Sequence, residues 1–71
     1  MKAYEIAYAY PTSPNAEHLG FGKTGCYYVQ ETYIREDESV SADIAHNCEG
    51  FADENDPDLV SLLKEYQTGT V

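Results

Sequence analysis

Four side chains in this 71-residue chain, His18, Cys26, His46 and Cys48, are soft or borderline ligands of the kind zinc accepts. Structural zinc sites draw their ligands in close pairs, and only His46-Asn47-Cys48 is close here. The spacing therefore favours one buried thiol, one strand thiol and two surface histidines. Asp53, Glu54, Asn55, Asp56 and Asp58 have the oxygen density that calcium favours. An EF-hand loop starting at Asp53 would need glycine where Asp58 stands, a ligand where Pro57 stands and glutamate where Lys64 stands. The segment reads instead as a polar turn leading into a capped helix. Gly20-Phe21-Gly22-Lys23-Thr24-Gly25 invites comparison with a phosphate loop. The Walker pattern places a further glycine where this chain has Glu17, and it continues into a helix, whereas a strand pattern follows here. Asp43 and His46 would share a helix face and could orient an imidazole for acid–base work. No nucleophile or second carboxylate of defined geometry accompanies them. These residues point to a non-enzymatic protein with no catalytic set, no metal site and no cofactor.

Charge is the stronger signal. The chain has 13 acids, 4 Lys and Arg, and a net charge of -9. Residues 1–35 are neutral: Glu5, Glu17 and Glu31 against Lys2, Lys23 and Arg35. Residues 36–58 hold Glu36, Asp37, Glu38, Asp43, Glu49, Asp53, Glu54, Asp56 and Asp58, with no base among them. Direct binding to nucleic acid or to an anionic membrane is disfavoured, because there is almost no positive charge to meet phosphates. No apolar run approaches the roughly 18 residues that a membrane span requires. Met1-Lys2-Ala3-Tyr4-Glu5-Ile6 lacks the pattern of a signal peptide. A cytoplasmic protein with reduced Cys26 and Cys48 is expected; in an exported protein a single bridge between the two is open.

The elements that must position these groups follow from periodicity. The length suits one small domain over residues 1–71. From Lys2 to Tyr10, Tyr4, Ile6, Tyr8 and Tyr10 alternate with smaller or polar residues, as in a strand. Residues 26–35 are rich in aromatic and β-branched types and suit a second strand. A long loop punctuated by proline and glycine joins them, with Ser13 placed to cap one short turn through Leu19. Asp56-Pro57-Asp58 starts a helix, Leu59, Leu62, Leu63 and Tyr66 form its apolar stripe, and Gly69 stops it. Val40, Ile44, Cys48 and Phe51 also fall at helical spacing, although Val40, Ala42 and Ile44 alternate as a strand would. The reading is a helix over about 40–49, capped by Ser39 or Ser41 and ended by Gly50. The expected fold is α+β: a small antiparallel sheet of two or three strands, over about 2–10 and 26–35, packed by helices over about 40–49 and 57–68.

Two surfaces follow. Seven tyrosines, six of them in the first half, exceed what so small a core can hide. Tyrosine suits protein contacts, because it brings a large area at low entropy cost. A tyrosine-rich interaction or assembly module, homodimeric through its sheet, is one expectation. The acidic half supports another. A helix over 36–58 would span about 34 Å, or roughly 4 Å per acid, near the spacing of about 3.4 Å between charges on one DNA strand. Crowding acids without bases costs stability, and it attracts a basic partner over long range.

In composition and layout, a small acidic chain with a tyrosine-rich sheet and no catalytic set, the chain resembles phage-encoded inhibitors of the anti-CRISPR and anti-restriction class, several of which imitate DNA. The resemblance implies a host-cell cytoplasmic inhibitor. The base-free acidic run supplies the expected contact residues: Glu36, Asp37, Glu38, Asp43, Glu49, Asp53, Glu54, Asp56 and Asp58 would meet a basic nucleic-acid-binding protein or complex and occlude its site, with no cofactor.

Overall fold

Cys26–Ile34 (β2) runs through the middle of a three-stranded antiparallel sheet in a computed structural model, which describes residues 1–70. Lys2–Ala9 (β1) pairs on one side of it, from Lys2 opposite Tyr33 to Ala9 opposite Cys26. Val40–Ile44 (β3) pairs on the other, from Val40 opposite Ile34 to Ile44 opposite Gln30. A short helix, Pro14–His18 (α1), lies in the β1–β2 connection, and Pro57–Thr68 (α2) closes the fold. The α+β architecture, both tyrosine-rich strands and the final helix are as the periodicity implies.

The alternation in β1 and β2 explains why one face of the sheet receives α2. Tyr4, Ile6 and Tyr8 stand opposite Glu31, Val29 and Tyr27, so they share that face. Val29, Ala45, Phe51, Leu59 and Tyr66 are buried there, with Tyr4, Ile6, Leu62 and Leu63 packed around them. The Tyr4 and Tyr66 rings stack with centroids 5.2 Å apart. The reverse face is covered at one end, where Ala16, Leu19 and Phe21 lie over Ala9, Cys26 and Tyr28.

Local chemistry sets both helix starts. The Ser13 hydroxyl accepts the Ala16 N–H at 3.2 Å, and Asp56 Oδ1 accepts the Asp58 N–H at 2.9 Å. Each cap is followed by proline at the first helical position, where no N–H is needed. Gly69, at φ 80°, ends α2 in the left-handed region.

The helix expected over 40–49 is instead β3 and an irregular return. The helical stripe was coincidental: Val40 is 60% exposed, whereas Phe51 is buried. A helix would have left the outer row of β2 backbone groups unpaired, and burial makes that costly. β3 and Phe51 fill that row, the latter exchanging N–H···O bonds with Tyr27 at 2.7 and 2.8 Å. The supposed caps serve a hairpin. Ser39 N–H and Oγ–H both donate to Asp37 Oδ1, at 3.0 and 2.6 Å, and Glu38 turns through φ 68°. Gly50 ends no helix. It passes under Phe21, where a Cβ would lie 2.8 Å from the ring and 3.0 Å from Cys26 Sγ.

Two stability measurements check this packing. Leu59 is fully buried, so Leu59→Ala should lower the free energy of unfolding in urea by about 2–5 kcal/mol. Glu38 holds a left-handed conformation that costs an L-residue about 1–2 kcal/mol. Glu38→Gly should therefore raise Tm by about 2–5 °C, after allowing for the larger unfolded-state entropy of glycine.

Candidate functional site

The path of the chain decides where the acids stand. From the hairpin at Arg35–Ser39, through β3, to the Phe51–Tyr27 bridge, the backbone follows the outer side of β2. The run from Tyr27 to Arg35 spans about 26 Å of strand. Glu36, Asp37 and Glu38 occupy the hairpin at one end of this edge. Asp43 lies on β3, and Glu49 lies on the return beyond it. Asp53, Glu54, Asp56 and Asp58 gather past Phe51, on the turn into α2 and in its first turn. The sequence-contiguous run is thus split into two poles with single acids between them. The long acidic helix considered from sequence does not form.

Of the four bases, Lys2 and Arg35 make contacts of their own. Lys2 Nζ lies 3.5 Å from Glu31 Oε1 on the β1–β2 side. Arg35 sits at the root of the hairpin, its guanidinium 5.6 Å from the Tyr33 ring centroid and its Nη1–H donating to Ser39 Oγ at 3.4 Å. Among the described residues, none of the nine edge acids makes an ion pair. Solvent screening moderates their mutual repulsion, and at the hairpin so does the neighbouring Arg35 charge.

Not all nine are equivalent. Asp37 serves the hairpin, Asp43 Oδ1 accepts the Ile44 N–H at 2.8 Å, Asp53 Oδ1 accepts the Asn55 N–H at 2.9 Å, and Asp56 caps α2. Each of these aspartates has local structural work. Among the described residues, the Glu36, Glu38, Glu49, Glu54 and Asp58 side chains accept no such bond, and all five are exposed. The hydroxyl and backbone N–H of Ser39 hold the Asp37 carboxyl below the usual aspartate range.

A cleft of about 770 Å³ opens beside the β3 end of this edge. Asn15 and His18 of α1 form one wall, and Asp43, His46, Asn47 and Cys48 form the other. Sequence reading paired Asp43 with His46 on a helix face. Both line the cleft instead from a strand and the turn that follows it, with Asn47 at φ 60°. His18 comes from a distant part of the chain, which spacing could not reveal. Cys48 lines the cleft as a thiol already occupied: its sulfur accepts the Val29 N–H at 3.2 Å, and its S–H donates to the Glu49 carbonyl at 3.3 Å. Burial pushes its pKa up, as it does that of Cys26, so both thiols are protonated at neutral pH and are weak nucleophiles. Both cysteines are free, and Cys26 is buried in the cluster under α1. Among the described residues, no three His, Cys, Asp or Glu side chains converge as a metal site would require. The Tyr66 hydroxyl donates to the His46 carbonyl, anchoring the cleft wall to α2, and burial raises its pKa.

The tyrosines divide as their number suggests. Tyr28 and Tyr66 are buried, while Tyr8, Tyr10 and Tyr33 are exposed. Tyr8 packs edge-on to Tyr10 at 5.0 Å and tilted against Tyr27 at 4.9 Å, a patch at the loop end of the sheet. Among the described residues, no helix is long and apolar enough to cross a membrane.

No protein-family model, no curated protein and no solved structure matches this chain.

The Asp37 geometry has a testable sign. Its lowered folded-state pKa stabilises the fold above the unfolded value of about 4, and that contribution is lost as pH falls through the folded value. A carboxyl-carbon NMR titration should place Asp37 below the ordinary aspartate value, and Ser39→Ala should raise it. An unchanged midpoint in Ser39→Ala would show that the hydroxyl does not hold the charge.

Proposed function

We propose that this protein is a non-enzymatic inhibitor that binds a basic protein partner and occupies its nucleic-acid-binding site, in the manner of the anti-CRISPR and anti-restriction class. The single observation that carries this reading is the distribution of nine acids without an ion pair among the described residues: five follow the outer side of β2 and four gather at the start of α2. The molecule is 37 Å in its longest direction, so nine acids average no more than about 4 Å apart along it. One DNA strand carries a phosphate about every 3.4 Å. The acids bunch at two poles, so the likeness to DNA lies in charge density and not in a regular repeat. The mechanism is steric and electrostatic. Long-range attraction speeds encounter, and the bound protein excludes nucleic acid from the same groove. Cytoplasmic residence in a host cell belongs to this proposal.

A second reading rests on the Tyr8–Tyr10–Tyr27 patch. Tyr10 is 70% exposed, and an aromatic cluster of this kind suits an apolar protein contact that salt would affect little.

The two readings separate on salt. Immobilised protein should retain basic nucleic-acid-binding proteins from a host lysate and release them as salt rises from about 0.1 to 0.5 M. The retained protein should also lose its nucleic-acid binding. Combined Glu36→Lys, Glu38→Lys, Glu49→Lys and Glu54→Lys, which spares the turn-forming aspartates, should abolish retention, while Tyr10→Ala should leave it intact. Retention indifferent to salt, with loss on Tyr10→Ala, would transfer the function to the tyrosine patch.

A further inference from the structure

We infer that the outer edge of β3 is a docking rail for an extended, basic segment of the partner, which adds to the sheet as a fourth strand. The inference rests on the basic-partner reading above and specifies how that partner is held.

The backbone hydrogen bonds identify the rail. Ala45 N–H donates to the Val29 carbonyl at 2.9 Å, and Arg35 N–H donates to the Ser39 carbonyl at 3.0 Å. In an antiparallel ladder, alternate residues bond to the neighbouring strand and those between them point away. With the observed register, Ser41 and Asp43 face β2, while the N–H and C=O groups of Val40, Ala42 and Ile44 face outward. The Asp43 carboxylate already takes the Ile44 N–H. The amides of Val40 and Ala42 and the outward carbonyls remain for a neighbour. Val40, Ser41, Ala42 and Asp43 are all exposed, and β3 is the last strand of its sheet.

Charge selects the occupant. An open edge normally invites a second copy. Here a second copy would bring another net charge of -9, with its own hairpin acids, to a strand spacing of about 4.8 Å. The charge that repels a copy attracts a basic segment. Asp43 and Ser41 project on the α2 face of β3; Val40, Ala42 and Ile44 project on the other. A fourth strand would therefore set its residues alternately beside Asp43 and beside Val40 and Ala42. The matching segment alternates Lys or Arg with small or branched apolar residues. The hairpin glutamates Glu36 and Glu38 stand at one end of the rail, with Arg35 at the hairpin root, and Glu49 stands beyond the other, so flanking basic residues meet glutamates without ion pairs at both ends. Main-chain bonds supply the hold, and the alternation supplies the choice of partner.

The test uses the full chain and a capped heptapeptide alternating lysine and valine. A control peptide keeps the lysines but replaces the valines with proline, so it has the same charge and cannot form a strand. Amide exchange is followed by NMR with each peptide. The lysine–valine peptide should slow exchange at Val40 and Ala42 by about tenfold or more and should bind about tenfold more tightly than the control. Ala42→Pro, which removes one outward donor, should cancel the difference between the peptides. If that variant does not fold, exchange in the unsubstituted chain decides. Equal, salt-dependent binding of both peptides with unchanged exchange would overturn the rail and leave the electrostatic reading standing. No binding of either peptide at low salt would overturn both. A peptide-free dimer in sedimentation with Val40 and Ala42 protected would assign the edge to a second copy and overturn the proposal.

Discussion

The outer row of backbone groups on β2 must be paired, and most of the molecule follows from that. β1 takes the inner row along its whole length. The outer row is filled piecemeal: by β3, by the Cys48 sulfur against the Val29 N–H where the chain bulges away, and by Phe51 against Tyr27. Val29 is fully buried at that junction. An orphaned amide there would cost about as much as a core methylene or two, which is a large fraction of the stability a chain this size commands. The bulge that admits the sulfur also carries His46, Asn47 and Cys48 out to form a wall of the cleft.

The same pairing converts a charge run into a charged edge. Because residues 36–51 must track β2, their acids cannot gather on one helix face. They are laid out along the sheet border, and the last four collect where the chain turns into α2. Several aspartates pay for their place by closing turns and capping α2, which is ordinary work for that side chain. The glutamates do no such work, and repulsion among them goes unrelieved by any ion pair among the described residues. A small fold carries this cost most readily on exposed side chains, where solvent screens it.

The two faces of the sheet are unequally covered, and this leaves β3 as it is. α2 lies over β1 and β2. α1 and its loop cover the reverse face at the Cys26–Tyr28 end. Neither reaches the hairpin end of β3, so that strand is held by one neighbour. The exposed tyrosines sit elsewhere, at the loop end beside Tyr10 and at Tyr33 under Arg35. Acidic edge and tyrosine patch are therefore separate surfaces, which can be altered independently.

Strong local signals were legible without a structure. The alternation of Tyr4, Ile6 and Tyr8 placed β1, aromatic and β-branched residues placed β2, and Asp56-Pro57 with Gly69 bounded α2. Each depends on neighbours in the chain: period, cap chemistry, the missing N–H of proline. Residues 40–49 carried both periods at once, and local rules chose helix. The unmet hydrogen bonds of β2, distant in sequence, chose strand. The same non-local pairing brought His18 across to His46 and split one acidic run into two poles. The sequence by itself determined how much charge the second half carries and that no base offsets it within residues 36–58. Only the tertiary structure decided the shape of that charge, because a strand's direction is set by the partner it must pair with, and that partner lies elsewhere in the chain.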